Sequence, residues 1–177
     1  MEQLFQQYKD IAEFRLVYIN EAHASDSDWP VEYAKELGIT QHEDYGQRCT
    51  VAERLLEDKQ LTIPTLIDGM DNAVNKAYQA WPDRIYVIQP NGKLAVAADR
   101  GPRGFKPALN QATEWLADYR KSQAHSSPPA ALSDEPLAIE VGLPFPDIML
   151  PSVQNGSPMA ISDFRGKKII LHVFASW

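Results

Sequence analysis

The run Lys168–Phe174 constrains the fold of this chain more than any other segment. After Lys168 it reads Ile-Ile-Leu-His-Val-Phe, without the alternation of polar and apolar residues that marks a half-exposed strand. A strand that is apolar nearly throughout is typically buried on both faces, as in the sheets of α/β proteins. The run therefore predicts a strand inside a sheet that other elements cover on both sides.

Other apolar runs supply partners for such a strand. Phe14–Ile19 and Pro64–Ile67 have the length and the β-branched content of short buried strands. Arg84–Gln89 and Leu94–Ala98 flank an Asn-Gly pair, which favours a β-hairpin. These four segments and the run Lys168–Phe174 predict a central mixed sheet.

Helical spacing of apolar residues predicts the flanking layers. One helix is predicted near the N-terminus and a second over residues 46–58, with Asp44 as its N-cap and Gln47 three residues later. A third is predicted from about residue 106, with Pro107 in its first turn. Strands and helices together indicate an α/β fold class.

Charge and composition exclude several functions. The formal net charge is −7 and no basic cluster stands out, so nucleic acid and anionic membranes are poor candidate partners. No apolar run approaches the ~18–20 residues of a membrane span. Met1 to Leu4 do not form a signal peptide, so a cytoplasmic location is the default, and a periplasmic one requires a signal upstream. Cys49 is the only cysteine, which excludes an internal disulfide and a cysteine-based zinc site.

The composition changes once along the chain. Residues 1–121 read as one module, and residues 122–137, which include Ser-Ser-Pro-Pro-Ala-Ala, read as a linker. Residues 138–177 begin a second module that is too short to bury a core of its own.

Polar side chains cluster directly after the predicted strand Phe14–Ile19. Glu21, His23, Ser25, Asp26 and Asp28 follow it within ten positions. Catalytic groups gather at the carboxyl ends of parallel strands, and a Glu and a His two positions apart can exchange a proton near neutral pH. The alternative is a solvated loop whose Asp and Ser side chains cap the next element.

Three further residues are candidates, each with an ordinary alternative. Pro64 opens a predicted strand, where proline is tolerated. Cys49 beside Arg48 is either an activated thiol or, as we favour, a small apolar residue. Arg84 either binds an anionic group of a substrate or forms a surface ion pair.

Several segments in one register resemble the iodothyronine deiodinase family over residues 3–119. They are Phe14–Asp26 followed by Trp29, then His42, Arg48 and Cys49, then Asp68–Asn72 with Ala77-Tyr78, and last Asp83–Gln89 with Gly101-Pro102. Two departures are Asn20, where the family commonly has a second Glu, and Ser27-Asp28, which replaces a single Gly.

The resemblance implies a thioredoxin-like fold and an oxidoreductase that removes iodide through a selenocysteine or cysteine. That reactive residue lies before the strand matching Phe14–Ile19 and is not expected in this chain. Glu21 and His23 are expected to bind substrate and deliver protons, with Ser25, Tyr78 and Arg84 near the pocket. Pro64 is expected to be cis and to face the nucleophile.

Residues 138–177 resemble the start of redoxin or thiol–disulfide oxidoreductase domains. The pattern includes Ile161–Lys168 and the final Phe-Ala-Ser-Trp, after which such proteins carry their reactive cysteine or selenocysteine. The resemblance therefore implies a nucleophile directly after Trp177. Selenocysteine codons read as stops at both ends would account for a chain that lacks both reactive residues.

The sequence thus predicts an incomplete thioredoxin-like module followed by part of a second one. The expected partners are a small-molecule substrate or a thiol reductant, with no cofactor or metal besides selenocysteine in an intact parent. A non-catalytic remnant or binding module of the same fold is the alternative. We also predict that Lys168–Phe174 fills the vacant position in the sheet of the first module, between Phe14–Ile19 and Pro64–Ile67.

Overall fold

The computed structural model describes residues 1–122 and 139–175. Its helices are α1 (Glu2–Tyr8), α2 (Glu32–Leu37), α3 (Tyr45–Asp58), α4 (Ala73–Tyr78) and α5 (Pro102–Ser122), with a 3₁₀ helix at Ile161–Phe164. Its strands are β1 (Glu13–Tyr18), β2 (Thr65–Ile67), β3 (Asp83–Ile88), β4 (Leu94–Ala97), β5 (Leu150–Pro151), β6 (Pro158–Met159) and β7 (Ile169–Phe174).

Five of these strands form one mixed sheet in the order β2-β1-β7-β3-β4. Strands β2, β1 and β7 are parallel, whereas β3 runs antiparallel to both β7 and β4. Strands β5 and β6 form a separate hairpin. Helices flank the mixed sheet, so the predicted α/β fold class is confirmed and the arrangement is consistent with a thioredoxin-like fold.

The C-terminal strand β7 lies at the centre of the sheet. It pairs with β1 from Glu13↔Ile169 to Tyr18↔Phe174, and with β3 over its whole length. The prediction that this run enters the sheet of the first module is confirmed. Its predicted position between β1 and β2 is wrong, because β1 pairs directly with β2 and leaves its other edge for β7.

Both faces of the sheet are covered, as the apolar β7 requires. Helices α1, α3 and α5 pack on one face, where the buried side chains include Leu4, Phe14, Leu16, Leu55, Ile170 and Leu116. Helix α4 and parts of residues 145–164 cover the other face, with Val17, Leu171, Tyr78, Phe145 and Phe164. Alternate residues of β1 and β7 thus enter two separate cores.

Residues 139–175 pack against residues 1–122 rather than apart from them. The Tyr78 hydroxyl donates to the carbonyl of Pro146 (3.0 Å), and the Arg15 guanidinium lies 4.1 Å from the centre of the Phe164 ring. The described part of the second module therefore shares the sheet of the first. Its kinship with redoxins stays a prediction, and most of the predicted linker lies outside the described residues.

Two local predictions are wrong. Among the described residues the cis peptide bond is Trp81–Pro82, so the Ile63–Pro64 bond is trans. Pro64 directly precedes β2, and its carbonyl accepts from the Leu16 amide (3.0 Å) at the start of the parallel ladder. Helix α5 begins at Pro102, not near residue 106, because a proline suits the first helical position, and Pro107 lies inside the helix. The predicted N-cap is confirmed, since Asp44 accepts from the Gln47 amide (2.8 Å).

Candidate functional site

The carboxyl ends of β1 and β7 meet the start of β3 at one edge of the sheet. The Ile19 amide donates to the Phe174 carbonyl (3.0 Å), and the Ala175 amide donates to the carbonyl of the cis residue Pro82 (2.6 Å). In α/β sheets ligands bind outside the carboxyl ends of parallel strands. This edge is therefore the place to look for a functional site.

Three buried proton-exchanging groups contact one another at this edge. Tyr18 ends β1, and its hydroxyl donates to a carboxylate oxygen of Glu21. The same hydroxyl lies 3.3 Å from Nε2 of His42, and that nitrogen lies 3.7 Å from Glu21 Oε1. Because the Tyr18 proton points to Glu21, its oxygen is available to accept from Nε2–H of a neutral His42. We call these residues the Tyr18–Glu21–His42 cluster.

Burial keeps His42 neutral. The imidazole is 1% exposed, and burial, followed by the positive charge of Arg48, lowers the pKa of His42 to about 4. Its Nδ1 atom is buried without a hydrogen-bond partner among the described residues. His42 also lines a cavity of about 320 Å³ between α2 and α3, together with Ile39, Val51 and Arg54. The cluster thus adjoins a cavity large enough for a small molecule.

Two charged residues fix the loops around the cluster. Arg48, on α3, donates through Nη1 to the carbonyls of Asp68 (3.0 Å) and Gly69 (2.6 Å). The Asp68 carboxylate accepts from the amides of Val74 (3.0 Å) and Asn75 (2.9 Å) and so caps α4. Burial raises the pKa of Asp68. The Asp68 amide in turn donates to the Tyr18 carbonyl (2.9 Å), which ties this loop to the end of β1.

The loop after β1 holds the other predicted site residues. His23 is partly exposed, and its Nδ1 lies 2.9 Å from the Trp29 carbonyl, to which it donates. The Ser25 amide donates to the Ile39 carbonyl (2.7 Å), and Asp26 accepts from the Gln41 amide (2.9 Å). These bonds fold the loop back toward His42. Asp26 is an exposed loop residue that bonds the backbone, as the alternative of a solvated loop predicts. Glu21, in contrast, is buried in the protein interior.

The remaining predicted residues do not join the Tyr18–Glu21–His42 cluster. Pro64 directly precedes β2, and its carbonyl accepts from the amide of Leu16 rather than from the last residue of β1. Tyr78 is 1% exposed in the core beneath residues 145–164, and burial raises the pKa of its hydroxyl. Arg84 lies near the same edge on β3, where its Nε donates to the Ala98 carbonyl (2.6 Å).

Cys49 has the surroundings of a structural thiol. It lies on α3 and packs against the face that holds Leu55. Burial raises the pKa of Cys49, and Arg48 beside it directs its guanidinium to the Asp68 and Gly69 carbonyls. Within the described residues no three His, Cys, Asp or Glu side chains are grouped to hold a metal ion.

Four residues at this edge of the sheet were not predicted as site residues from their own chemistry. The sequence places Tyr18 only in a buried strand, gives His42 and Asp68 only as matching positions of a family, and gives Arg48 a role only beside Cys49. Their shared role follows from burial, because each is at most 9% exposed although it carries a polar side chain. A polar residue inside an apolar run, such as the tyrosine that ends β1, is the signal that was available.

Comparison with known proteins yields one family. The model of the family described as "Iodothyronine deiodinase" matches residues 1–120. Type I iodothyronine deiodinase of Xenopus laevis is 36% identical over 104 residues, which is 59% of this chain and 39% of that protein. Thyroxine 5-deiodinase of Gallus gallus is 38% identical over 113 residues, which is 64% of this chain and 42% of that protein.

A human relative of similar identity and coverage is also a deiodinase. Type II iodothyronine deiodinase of Homo sapiens is 33% identical over 119 residues, which is 64% of this chain and 41% of that protein. The chain thus spans about two fifths of the length of the curated relatives it matches. In the described part of the chain, no helix is both long and apolar enough to cross a membrane.

Proposed function

Because the chain belongs to the iodothyronine deiodinase family, we propose that it binds a small iodinated aromatic substrate and donates the proton for its reductive dehalogenation. The Tyr18–Glu21–His42 cluster is the observation that carries the proposal. It joins three groups that can exchange protons at the edge of the sheet where α/β proteins bind ligands. Iodothyronines, named in the relatives, are the substrate class we propose.

The reaction replaces iodine by hydrogen with two thiols as the source of electrons. It balances as Ar–I + 2 RSH → Ar–H + RSSR + H⁺ + I⁻. The C–I bond breaks, the aromatic carbon takes a proton, and the two thiols are oxidised to a disulfide. We assign delivery of that proton to the cluster: Tyr18 donates it, Nε2–H of neutral His42 stabilises the phenolate by a hydrogen bond, and a proton released from the thiols restores the Tyr18 hydroxyl. His23 and Ser25 are proposed to contact the substrate.

The proposed nucleophile is a cysteine or selenocysteine carried directly after Trp177. A thiolate or selenolate is the attacking species in such chemistry. The bond from the Ala175 amide to the Pro82 carbonyl supports this assignment, because it brings the end of β7 beside the cluster edge. Cys49 is a poor candidate, since burial raises the pKa of its thiol. A small-molecule thiol is the proposed reducing partner.

The test is iodide release from thyroxine by a chain extended with one cysteine after Trp177, with dithiothreitol as reductant. We expect release above that of the unextended chain. Tyr18→Phe and His42→Gln should each lower the rate about a hundredfold, the usual weight of general acid catalysis. Cys49→Ser is the matched control and should leave the rate unchanged.

Two outcomes would contradict the proposal. If Tyr18→Phe and His42→Gln retain full activity, the cluster does not supply the proton. If the unextended chain releases iodide and Cys49→Ser abolishes that release, the nucleophile is Cys49.

A non-catalytic binding module of the same fold is the second candidate. The raised pKa of Cys49, the one cysteine of the chain, favours it. Thyroxine binding by the extended chain without iodide release, measured by tryptophan fluorescence, would identify that function instead.

A further inference from the structure

The cavity between α2 and α3 shares one side chain, His42, with the Tyr18–Glu21–His42 cluster. We call it the α2–α3 cavity; its volume is about 320 Å³. Of the three cluster residues, only His42 belongs to its wall within the described residues. The cavity is therefore a separate space that communicates with the proposed dehalogenation site through a single imidazole, and it is large enough for a small molecule.

Two polar side chains of the wall are already bonded to the backbone. The Thr50 hydroxyl donates to the Gly46 carbonyl (3.0 Å), and Nη1 of Arg54 donates to the Leu37 carbonyl (3.3 Å). These bonds fix the wall at α3 and tie α3 to the end of α2. They leave His42 as the polar group of the wall to be explained.

His42 supplies the α2–α3 cavity with a buried acceptor. Its side chain is 1% exposed, and Nδ1 has no hydrogen-bond partner in the part of the chain that the structure describes. The Tyr18 hydroxyl directs its proton to Glu21 and lies 3.3 Å from Nε2 of His42, so Nε2 carries the imidazole hydrogen and Nδ1 the lone pair. Because a buried acceptor without a partner is costly, an occupant that donates a hydrogen bond is favoured.

The charges near His42 restrict the class of that occupant. A carboxylate offers only acceptors and cannot bond a lone pair. An ammonium would meet the positive charge of Arg54 in the wall and that of Arg48, which already acts on His42. A neutral hydroxyl remains, and the apolar side chains of Ile39 and Val51 in the wall suit a ring that carries it.

We propose that the α2–α3 cavity is a binding site for a small phenol whose hydroxyl donates a hydrogen bond to Nδ1 of His42. The ring is buried against Ile39 and Val51, and the hydroxyl satisfies the acceptor that the protein leaves open. The phenol is an effector and not the substrate, because it reaches the cluster only through the imidazole.

An effect on dehalogenation follows, and this part rests on the proposed function. A donor at Nδ1 polarises the imidazole, so Nε2–H of His42 becomes a better donor to the Tyr18 oxygen. The phenolate that Tyr18 becomes after giving up its proton is then better stabilised. We expect phenol to raise iodide release by the cysteine-extended chain about twofold, since one polarised hydrogen bond has a modest effect.

The test of binding is titration of the folded chain, labelled with ¹⁵N in its histidines, with phenol and separately with anisole. Anisole has the same ring but no O–H donor. We expect phenol to move the Nδ1 resonance of His42 toward that of a hydrogen-bonded nitrogen, and anisole to bind about tenfold more weakly. His172 is the internal control, because its ring nitrogens also lack partners among the described residues but do not line this cavity. Its resonances should not move.

A matched pair of variants tests the location. Val51→Phe fills the α2–α3 cavity without changing a residue of the cluster, so it should abolish both the phenol-induced shift at His42 and the stimulation. Val141→Phe makes the same change at a valine that is 64% exposed, and it should alter neither. Basal iodide release by the extended chain should persist in both variants.

The outcomes that would overturn the proposal are distinct from failure of the proposed function. Equal binding of phenol and anisole, or phenol binding that survives Val51→Phe, would overturn the site. An Nδ1 resonance of His42 that is already that of a hydrogen-bonded nitrogen and does not respond to phenol would identify water as the occupant. Unchanged iodide release with phenol bound would overturn the effector role. If phenol binds as expected but the extended chain releases no iodide, the proposed function fails while the binding site stands.

Discussion

His172 is buried on the central strand with no hydrogen-bond partner on either ring nitrogen among the described residues. Its ring lies between Phe105 and Phe174, with ring centres 5.2 and 5.1 Å away. Burial, with a smaller effect from the N-terminal amine, lowers the pKa of His172 to about 3. The folded protein therefore holds this imidazole neutral, whereas the unfolded chain protonates it near pH 6.5.

This residue predicts acid sensitivity of a definite sign. Between pH 6.5 and about 3 the unfolded state binds a proton at His172 that the folded state does not, so stability is lost as the pH falls. The loss is at most about 1.4 kcal/mol per pH unit. His172→Leu should raise the free energy of unfolding at pH 7.5 and reduce its decline between pH 6.5 and 4.5, measured by urea denaturation.

The comparison of wild type with the variant isolates His172. Burial also lowers the pKa of His42, to about 4, and this group contributes with the same sign in both proteins. Parallel pH profiles for the two proteins would show that His172 does not remain neutral on folding.

Single residues also show how far the sequence could lead. Glu21 was predicted at the site because a polar cluster followed a strand, and the structure buries it against Tyr18. His42 was not predicted from its chemistry, since a lone histidine in a polar loop has no pattern of its own. Only the folding of residues 21–42 back on the sheet makes it part of the cluster.

Strand β7 is the element on which the fold depends. Its six residues are all buried, and it forms parallel bonds to β1 and antiparallel bonds to β3. The apolar run predicted its burial, and the hairpin signal predicted β3 with β4. Its pairing with β1 was predicted correctly, but its second neighbour, β3, was not, because periodicity gives the faces of a strand and not its place in the sheet.

The position of β7 predicts a large cost for truncating it. Leu171 is 0% exposed and touches the core formed with α4, so Leu171→Ala should lower the free energy of unfolding by about 2–5 kcal/mol. Leu143→Ala is the matched control, because Leu143 is 41% exposed in the same half of the chain, and it should cost less than about 1 kcal/mol. Urea denaturation measures both, and equal small losses would show that β7 is not a core strand.

The cis proline of this fold is Pro82, which precedes β3, and not the predicted Pro64. The resemblance to a thioredoxin-like family implied that Pro64 is cis, and Ile63-Pro64-Thr65 precedes a strand, as that turn requires. The strand that follows the cis bond is instead β3, which runs antiparallel to β7 and begins beside its end. Both prolines precede strands, so the sequence alone could not distinguish them.

At the scale of the whole molecule, two distant parts of the chain build one sheet. The family model matches residues 1–120, and the central strand of the same sheet comes from residues 169–174. The end of this strand lies beside the cis proline, and its last residue, Phe174, is paired with Tyr18 of the Tyr18–Glu21–His42 cluster in the sheet register. The proposed chemistry depends on this arrangement, because it brings whatever follows β7 to the cluster.

The most direct test of this arrangement is nuclear Overhauser contact between β1 and β7 in the isotope-labelled chain. The account predicts cross-strand contacts in parallel register between Leu16 and His172 and between Val17 and Val173, together with antiparallel contacts from Ile85 to His172. Contacts of residues 169–174 only with residues 139–168, or direct pairing of β1 with β3, would contradict it.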